Sequence, residues 1–392
     1  MKKTLILITT VLLAACGGGG EESTGSVRGV TADSITLGSH TDLSGPVAVW
    51  GVGTSNGQRM RYDEVNALGG VHGRKIELVV EDTGYQVPAA VKATNKLLNV
   101  DNIFLMVGAL GTPANNAVLP RMLDAGVPNL FPLTAAVQMY EPLHPMKFSA
   151  FVSYRDQVRS GVAHMVKQRG VQNVCLQAVA TDYGEEVHVG FEQAVEELSL
   201  TVSYVGRHKG TETDYSGTVT SIRNSDCELL VLGPLIKDAI LIYTAARDAG
   251  WDAPIVGNMV PYSYEVAAAP GMDGFYSVAP VLLPDFAAES QTDSWVGNWY
   301  RSYVERYNEE PPVQAVSGYV MADLTVRALE AAGPDLTTDK VLAALEGIDN
   351  YQDPFGGPSM SFSATKHQGA DYLNLYQVRN GKWETVETRL PY

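Results

Sequence analysis

Cysteine is scarce in this chain of 392 residues: Cys16, Cys175 and Cys227 are the only ones, so no C-x-x-C pair exists to hold zinc or run dithiol chemistry. The seven histidines are scattered without an i, i+4 pair, and H-E-x-x-H is missing, which removes the common catalytic zinc patterns. Positive charge is also short, with 28 Lys and Arg against 44 Asp and Glu. A formal charge of -16 argues against nucleic acid, whose phosphates demand the opposite sign. The chain also lacks an apolar run of the ~20 residues that a membrane-spanning helix needs.

The longest apolar run, Leu5 to Ala14, is about half that length and follows Lys2 and Lys3, which makes it an export signal. Leu13-Ala14-Ala15-Cys16 resembles the lipobox of bacterial lipoproteins, in which the cysteine becomes the lipid-bearing first residue. Residues 1–15 are therefore expected to be a signal peptide and 16–30 a lipidated tether, opened by Gly17 to Gly20. The expected location is the periplasm, with the membrane held only through lipid on Cys16. Cys175 and Cys227 are either a disulfide or two buried thiols on strands.

Short runs rich in Val, Ile and Leu recur at 35–39, 76–82, 103–109, 129–133, 174–180, 202–207, 228–233 and 254–257. Between them, sets such as Ala90, Val91, Thr94, Leu97 and Leu98, or Val187, Phe191, Ala194, Val195 and Leu198, fall on one helical face. Continuous apolar strands separated by amphipathic helices predict an α/β fold with parallel sheets covered on both faces. Two such series, meeting near residue 148, predict two doubly wound lobes with functional residues beyond the carboxyl ends of the strands. Trp295 to Glu330 is helical in pattern, and the tail 372–386 reads as a β-hairpin turning at Asn380-Gly381.

The stretch PVAVWGVGTSNG (46–57) imitates two catalytic motifs. Its glycines are spaced G-x-G-x-x-x-G and follow the first strand only after a loop, so they do not fit a dinucleotide turn. GTSNG matches the nucleophile elbow of hydrolases if PVAVW is a strand, but an elbow serine needs a later acid and histidine. His367, the one late histidine, has no supporting pattern, and Ser55 reads instead as a helix-start residue. Neither an enzyme nor a bound cofactor is expected.

The order of motifs carries more information than any one of them. LSGPVAVWGVGTSNGQ, the run from Glu64 to Leu98, VGALGTPAN, AGVPNLFPLTAA, ATDYGEE and ELLVLGP together resemble the branched-chain amino-acid binding proteins of bacterial ABC importers. The resemblance implies the type I periplasmic binding fold, two lobes joined by a three-crossing hinge with ligand between them. It places lobe one at 31–150 and 281–357 and lobe two at 151–280 and 358–392, with crossings near 148–152, 279–282 and 356–360.

By the same resemblance Trp50 covers the ligand, and Gly111 with Thr112 binds its carboxylate. Thr112-Pro113 also reads independently as the start of a helix, with Thr112 its cap. Thr134, or its neighbour Leu133 or Ala135, supplies the second contact, and Tyr183 closes the cleft from lobe two. The family's amino-acid binders place a carboxylate after the strand equivalent to PIVG to hold the ligand ammonium; here Asn258 and Met259 stand there. Their tyrosine-bearing loop after ELLVLG is replaced by Pro234, Leu235 and Ile236. An ammonium without a counter-charge is disfavoured out of water. The expected ligand is thus a small aromatic or aliphatic acid gripped by Thr112, with Trp50, Tyr183, Leu235 and Met259 along its body. An amino-acid carrier, and a sensory or cell-wall-synthase-activating lipoprotein of the same fold, are the alternatives. The expected partners are a small-molecule ligand and ABC permease and ATPase subunits, with the protein itself a monomer.

Overall fold

The computed structural model describes residues 27–392; the export signal and Cys16 lie outside the described residues. Strands and helices alternate as the periodicity predicts. The first series is β1 (Ser34–Thr41), α1 (Ala48–Ala67), β2 (Lys75–Asp82), α2 (Val87–Asn99), β3 (Leu105–Val107), α3 (Thr112–Asp124), β4 (Asn129–Leu130) and β5 (Lys147–Phe148). Its five strands form a parallel sheet in the order β2-β1-β3-β4-β5.

The second series runs α4 (Tyr154–Arg169), β6 (Asn173–Val179), α5 (Asp182–Leu198), β7 (Thr201–His208), α6 (Ser216–Arg223), β8 (Leu229–Gly233), α7 (Ile236–Asp248), β9 (Ile255–Gly257), α8 (Tyr264–Ala268) and β10 (Tyr276–Ala279). The chain then adds α9 (Phe286–Glu289), α10 (Trp295–Tyr307), α11 (Val313–Ala332) and α12 (Thr338–Glu346), and ends in β11 (Leu373–Arg379) and β12 (Lys382–Leu390). The second sheet has the order β12-β11-β10-β9-β8-β6-β7, parallel from β10 to β7 and antiparallel at the final hairpin. Asn380 and Gly381 at the hairpin tip have φ of 52° and 75°, the left-handed pair that a two-residue turn requires. Cys175 on β6 and Cys227, just before β8, form a disulfide with their Cα atoms 5.9 Å apart.

Three local expectations are corrected. PVAVW is not a strand: α1 begins at Ala48, and Ser55 is 2% exposed in the middle of the helix instead of capping it. The loop into α1 is organised by Asp42, whose carboxylate accepts the N–H groups of Ser44, Gly45 and Val47. Within that stretch a Cβ at Gly51 would strike the Asp42 carbonyl oxygen, while Gly53 and Gly57 serve helix contact, because a Cβ at Gly57 would lie 1.9 Å from the Ala315 carbonyl oxygen and one at Gly318 2.1 Å from that of Thr54. They let α1 and α11 approach at backbone distance, which outweighs their poor helix propensity.

The segment 295–330 is not one helix either. It stops at Asn308, whose φ of 54° is a left-handed cap, and restarts after Pro311-Pro312. The third passage between sheets comes later than 356–360. Phe362, expected in lobe two, packs 5.7 Å from Phe131 and 5.8 Å from Phe148 in lobe one, and its N–H donates to Ile348. Residues 358–370 therefore side with lobe one, and the chain leaves it only as β11 begins.

Candidate functional site

Both sheets point the carboxyl ends of their parallel strands at one crevice, which holds a partly open cavity of about 40 Å³. Lobe one contributes Val47 and Trp50 from the start of α1, Tyr85 from the loop after β2, Leu110, Gly111 and Thr112 where β3 turns into α3, and Leu133 after β4. Lobe two contributes Tyr154 and Tyr183 from the first turns of α4 and α5, Leu235 at the start of α7, and Val260 after β9. Trp50, Gly111, Thr112, Leu133, Tyr183 and Leu235, singled out from the sequence, are thus brought together.

Thr134 and Met259 are not among the lining residues. Thr134 stands one layer behind, its hydroxyl 2.7 Å from that of Thr112. Met259 is buried with its N–H on Gln157, and the next residue, Val260, takes the place at the wall. The cap of α3 is also corrected: it is Gly111, with φ 96°, not Thr112. A Cβ at position 111 would meet the Tyr85 ring at 2.8 Å, so both conformation and contact demand glycine. Freed from capping, the Thr112 hydroxyl is available to the pair with Thr134 and to the cavity. The N–H groups of Thr112 and Ala114 in that first turn have no intrahelical acceptor, and Pro113 between them has no N–H.

Among the described residues no Asp, Glu, Lys, Arg or His lines the cavity. Its polar side chains are the Thr112 hydroxyl and the phenols, of which Tyr154 and Tyr183 meet edge to face at 4.9 Å. Burial pushes the Tyr154 phenol up to about 12 and raises those of Tyr85 and Tyr183, so all three stay neutral at ordinary pH. The Tyr183 hydroxyl donates to Asn258 Oδ1 at 3.0 Å, and the Val260 N–H donates to the same oxygen at 3.0 Å. A backbone N–H can only donate, which fixes the amide orientation and leaves Asn258 Nδ2 as a buried donor without a partner in the protein. Behind Leu235, the buried Asp238 is already occupied by the Tyr215 hydroxyl, His208 and the Leu235 N–H.

The catalytic alternatives find no geometry. Ser55 is not part of the cavity wall, and His367 is stacked 3.9 Å over Phe148 with Nδ1 on the Lys147 carbonyl. Residues 34–382 match the family model described as "Periplasmic binding protein". The chain belongs to that family. Periplasmic binding proteins bind solutes and are not enzymes. A curated relative, Leu/Ile/Val-binding protein homolog 7 of Brucella abortus, is 24% identical over 377 residues, spanning 91% of this chain and 94% of its own. The fatty acid ABC transporter substrate-binding protein from Thermomonospora curvata superposes with a TM-score of 0.81 at 24% identity, over 94% of this chain and 97% of that one. A solute-binding protein from R. palustris in complex with benzoate has a TM-score of 0.77 at 20% identity, over 91% and 97%. These likenesses establish the two-lobed fold.

Reading the periplasmic binding protein from sequence missed five lining residues. Val47, Leu110 and Val260 adjoin residues that were identified, and Tyr154 follows the first interlobe crossing. Tyr85 adopts φ 59° after Gly84, a conformation that no periodicity announces.

Proposed function

We propose that this periplasmic binding protein captures a small carboxylate whose remainder is apolar or aromatic and delivers it to an ABC importer. The observation that carries the reading is a cleft wall without any charged side chain onto which the first turns of α1, α3, α4, α5 and α7 converge. Helix starts favour an anion through their free N–H groups and dipoles. Thr112 and its N–H offer donors for a carboxylate at the wall; Asn258, which is not itself a lining residue but is hydrogen-bonded to the lining residues Tyr183 and Val260, holds a further unpaired donor in Nδ2; and Trp50, Leu133, Tyr183 and Leu235 offer an apolar bed. An α-ammonium would find hydroxyl, phenol and carbonyl oxygens but no counter-charge at the wall. The fatty-acid and benzoate proteins of the same fold are consistent with this reading. The name of the Brucella relative favours the second reading, an aliphatic amino acid.

The cavity is smaller than the roughly 150 Å³ that accommodates benzene in an engineered protein core, so the ligand enters as the lobes part and is then enclosed. Lipid on Cys16 would hold the protein at the membrane; a Cys16→Ser variant should then leave the membrane fraction. The ligand test is thermal shift and calorimetry with benzoate, octanoate, leucine and phenylalanine. An acid at 100 times its dissociation constant should stabilise the protein by about 2.7 kcal/mol. Tight binding of leucine with no response to either acid refutes the proposal in favour of the amino-acid reading.

A further inference from the structure

The strongest polar contact between the lobes lies outside the cavity, at Glu186. This residue is on α5, one turn beyond Tyr183, and is 3% exposed. Arg155, next to Tyr154 on α4, grips its carboxylate from the same lobe with two bonds, Nη2 to Oε1 at 2.6 Å and Nε to Oε2 at 3.1 Å. Gly190 makes this possible, since a Cβ there would lie 2.6 Å from the Arg155 Cα and force the helices apart. The remaining two acceptor positions are filled from lobe one: the Val137 N–H reaches Oε2 at 3.1 Å and Gln138 Nε2 reaches Oε1 at 2.9 Å. All four acceptor directions of the carboxylate are thereby used, two from each lobe.

Those lobe-one donors sit on the loop that also carries Leu133 and Thr134. One carboxylate therefore ties the start of α5, the start of α4 and the loop after β4, and with them Tyr183, Tyr154 and the Thr112–Thr134 pair. We infer that Glu186 is a positioning residue that latches the closed clamp and sets ligand affinity without touching ligand. Its asymmetry suits a reversible latch. When the lobes part, Arg155 stays with Glu186, so the charge is never left unpaired, while Val137 and Gln138 exchange their bonds for water. A second interlobe bond, Asn116 Nδ2 to Asp182 Oδ2 at 2.9 Å, is exposed and competes with water directly.

The inference rests on the clamp reading of the proposed function but not on the ligand's identity. Glu186→Gln replaces one acceptor by a donor that faces donors, and Gln138→Ala removes only the lobe-one side and leaves the Arg155 pair intact. In the ligand-free protein both variants should shift small-angle scattering toward a more extended particle. Amide exchange in residues 135–140 should rise about tenfold, the worth of one hydrogen bond to a charged acceptor, while strand β6 exchanges as in the wild type. With benzoate as the probe, the dissociation constant should rise by about the same factor. If Glu186→Gln lowers the melting temperature steeply, Gln138→Ala decides alone. Scattering and exchange indistinguishable from wild type overturn the latch. If benzoate fails to bind the wild type, the ligand proposal falls and the scattering and exchange results still judge the latch.

Discussion

Replacing Asn258 by aspartate exchanges one atom of consequence. The Tyr183 hydroxyl and the Val260 N–H already donate to Oδ1, so a carboxylate keeps both bonds and the strand-end loop keeps its shape. What changes is Nδ2, a buried donor without a protein partner, which becomes a second oxygen carrying negative charge. Two like charges at 4 Å repel by about 4 kcal/mol at an effective dielectric constant near 20. A somewhat longer separation leaves roughly 2–3 kcal/mol, or a loss of about 30- to 150-fold in affinity for an acid. Calorimetry with benzoate, on wild type and variant at one ionic strength, reads that loss directly. The same substitution should improve binding of phenylalanine or leucine, whose ammonium gains the counter-charge it lacks. Unchanged benzoate affinity in a folded Asn258→Asp protein would refute the idea that this amide faces the ligand's charged end.

Other expectations follow from the same geometry. Trp50→Ala should weaken acid binding at least tenfold while the far-ultraviolet spectrum is retained, since Trp50 closes the cavity from a helix fixed elsewhere by its glycine contacts with α11. Gly318→Ala should lower stability by at least the roughly 1–3 kcal/mol typical of overpacking, measured by denaturant unfolding, because its methyl has only the Thr54 backbone to displace. Reducing the Cys175–Cys227 bond should cost up to about 4 kcal/mol by the chain-entropy estimate for a loop of 52 residues, seen as a lower melting temperature. Asp353, buried beside Asp323, has its carboxyl raised from 3.8 to about 6 by desolvation, so it binds protons in the folded state that the unfolded chain has released, and its contribution to stability falls as pH rises from 4 to 6. Buried His40, held down to about 4, works in the opposite direction over the same window. Asp353→Asn should therefore raise stability at pH 7 and uncover a steeper loss on acidification, followed by melting temperature between pH 4 and 7.

Elements whose physics is local were legible in the sequence. β1, β2, β6, β7 and β8 announce themselves as apolar runs, α2, α4 and α5 by one-sided helices, and the last hairpin by Asn-Gly. Features that depend on a distant partner were not. Gly53 and Gly57 look like a loop until α11, more than 250 residues away, is seen to need their missing side chains. The third passage was misplaced because residues 349–370 form isolated bridges and no regular element, leaving no periodicity to read. At the site, the motifs identified the right loops but not the right atom within each. Met259 and Thr134 yield to Val260 and Leu133 because a one-residue step decides which side chain faces the crevice. Asn258 first drew notice as a missing charge; its bonds to Tyr183 and Val260 give it a definite donor instead.

The contact between α1 and α11 also bears on how the molecule is made. A chain growing from its amino end has β1 to β5 in hand early, but the groove of Gly53 and Gly57 stays unfilled until residue 332 has emerged. The second sheet waits longer, because β10 is flanked by β11 and gains that neighbour only from the last twenty residues. Neither half can finish by itself, since the first needs α11 and the second needs β11. Such interleaving disfavours stable half-products, because the closing contacts of each sheet are drawn from far along the chain.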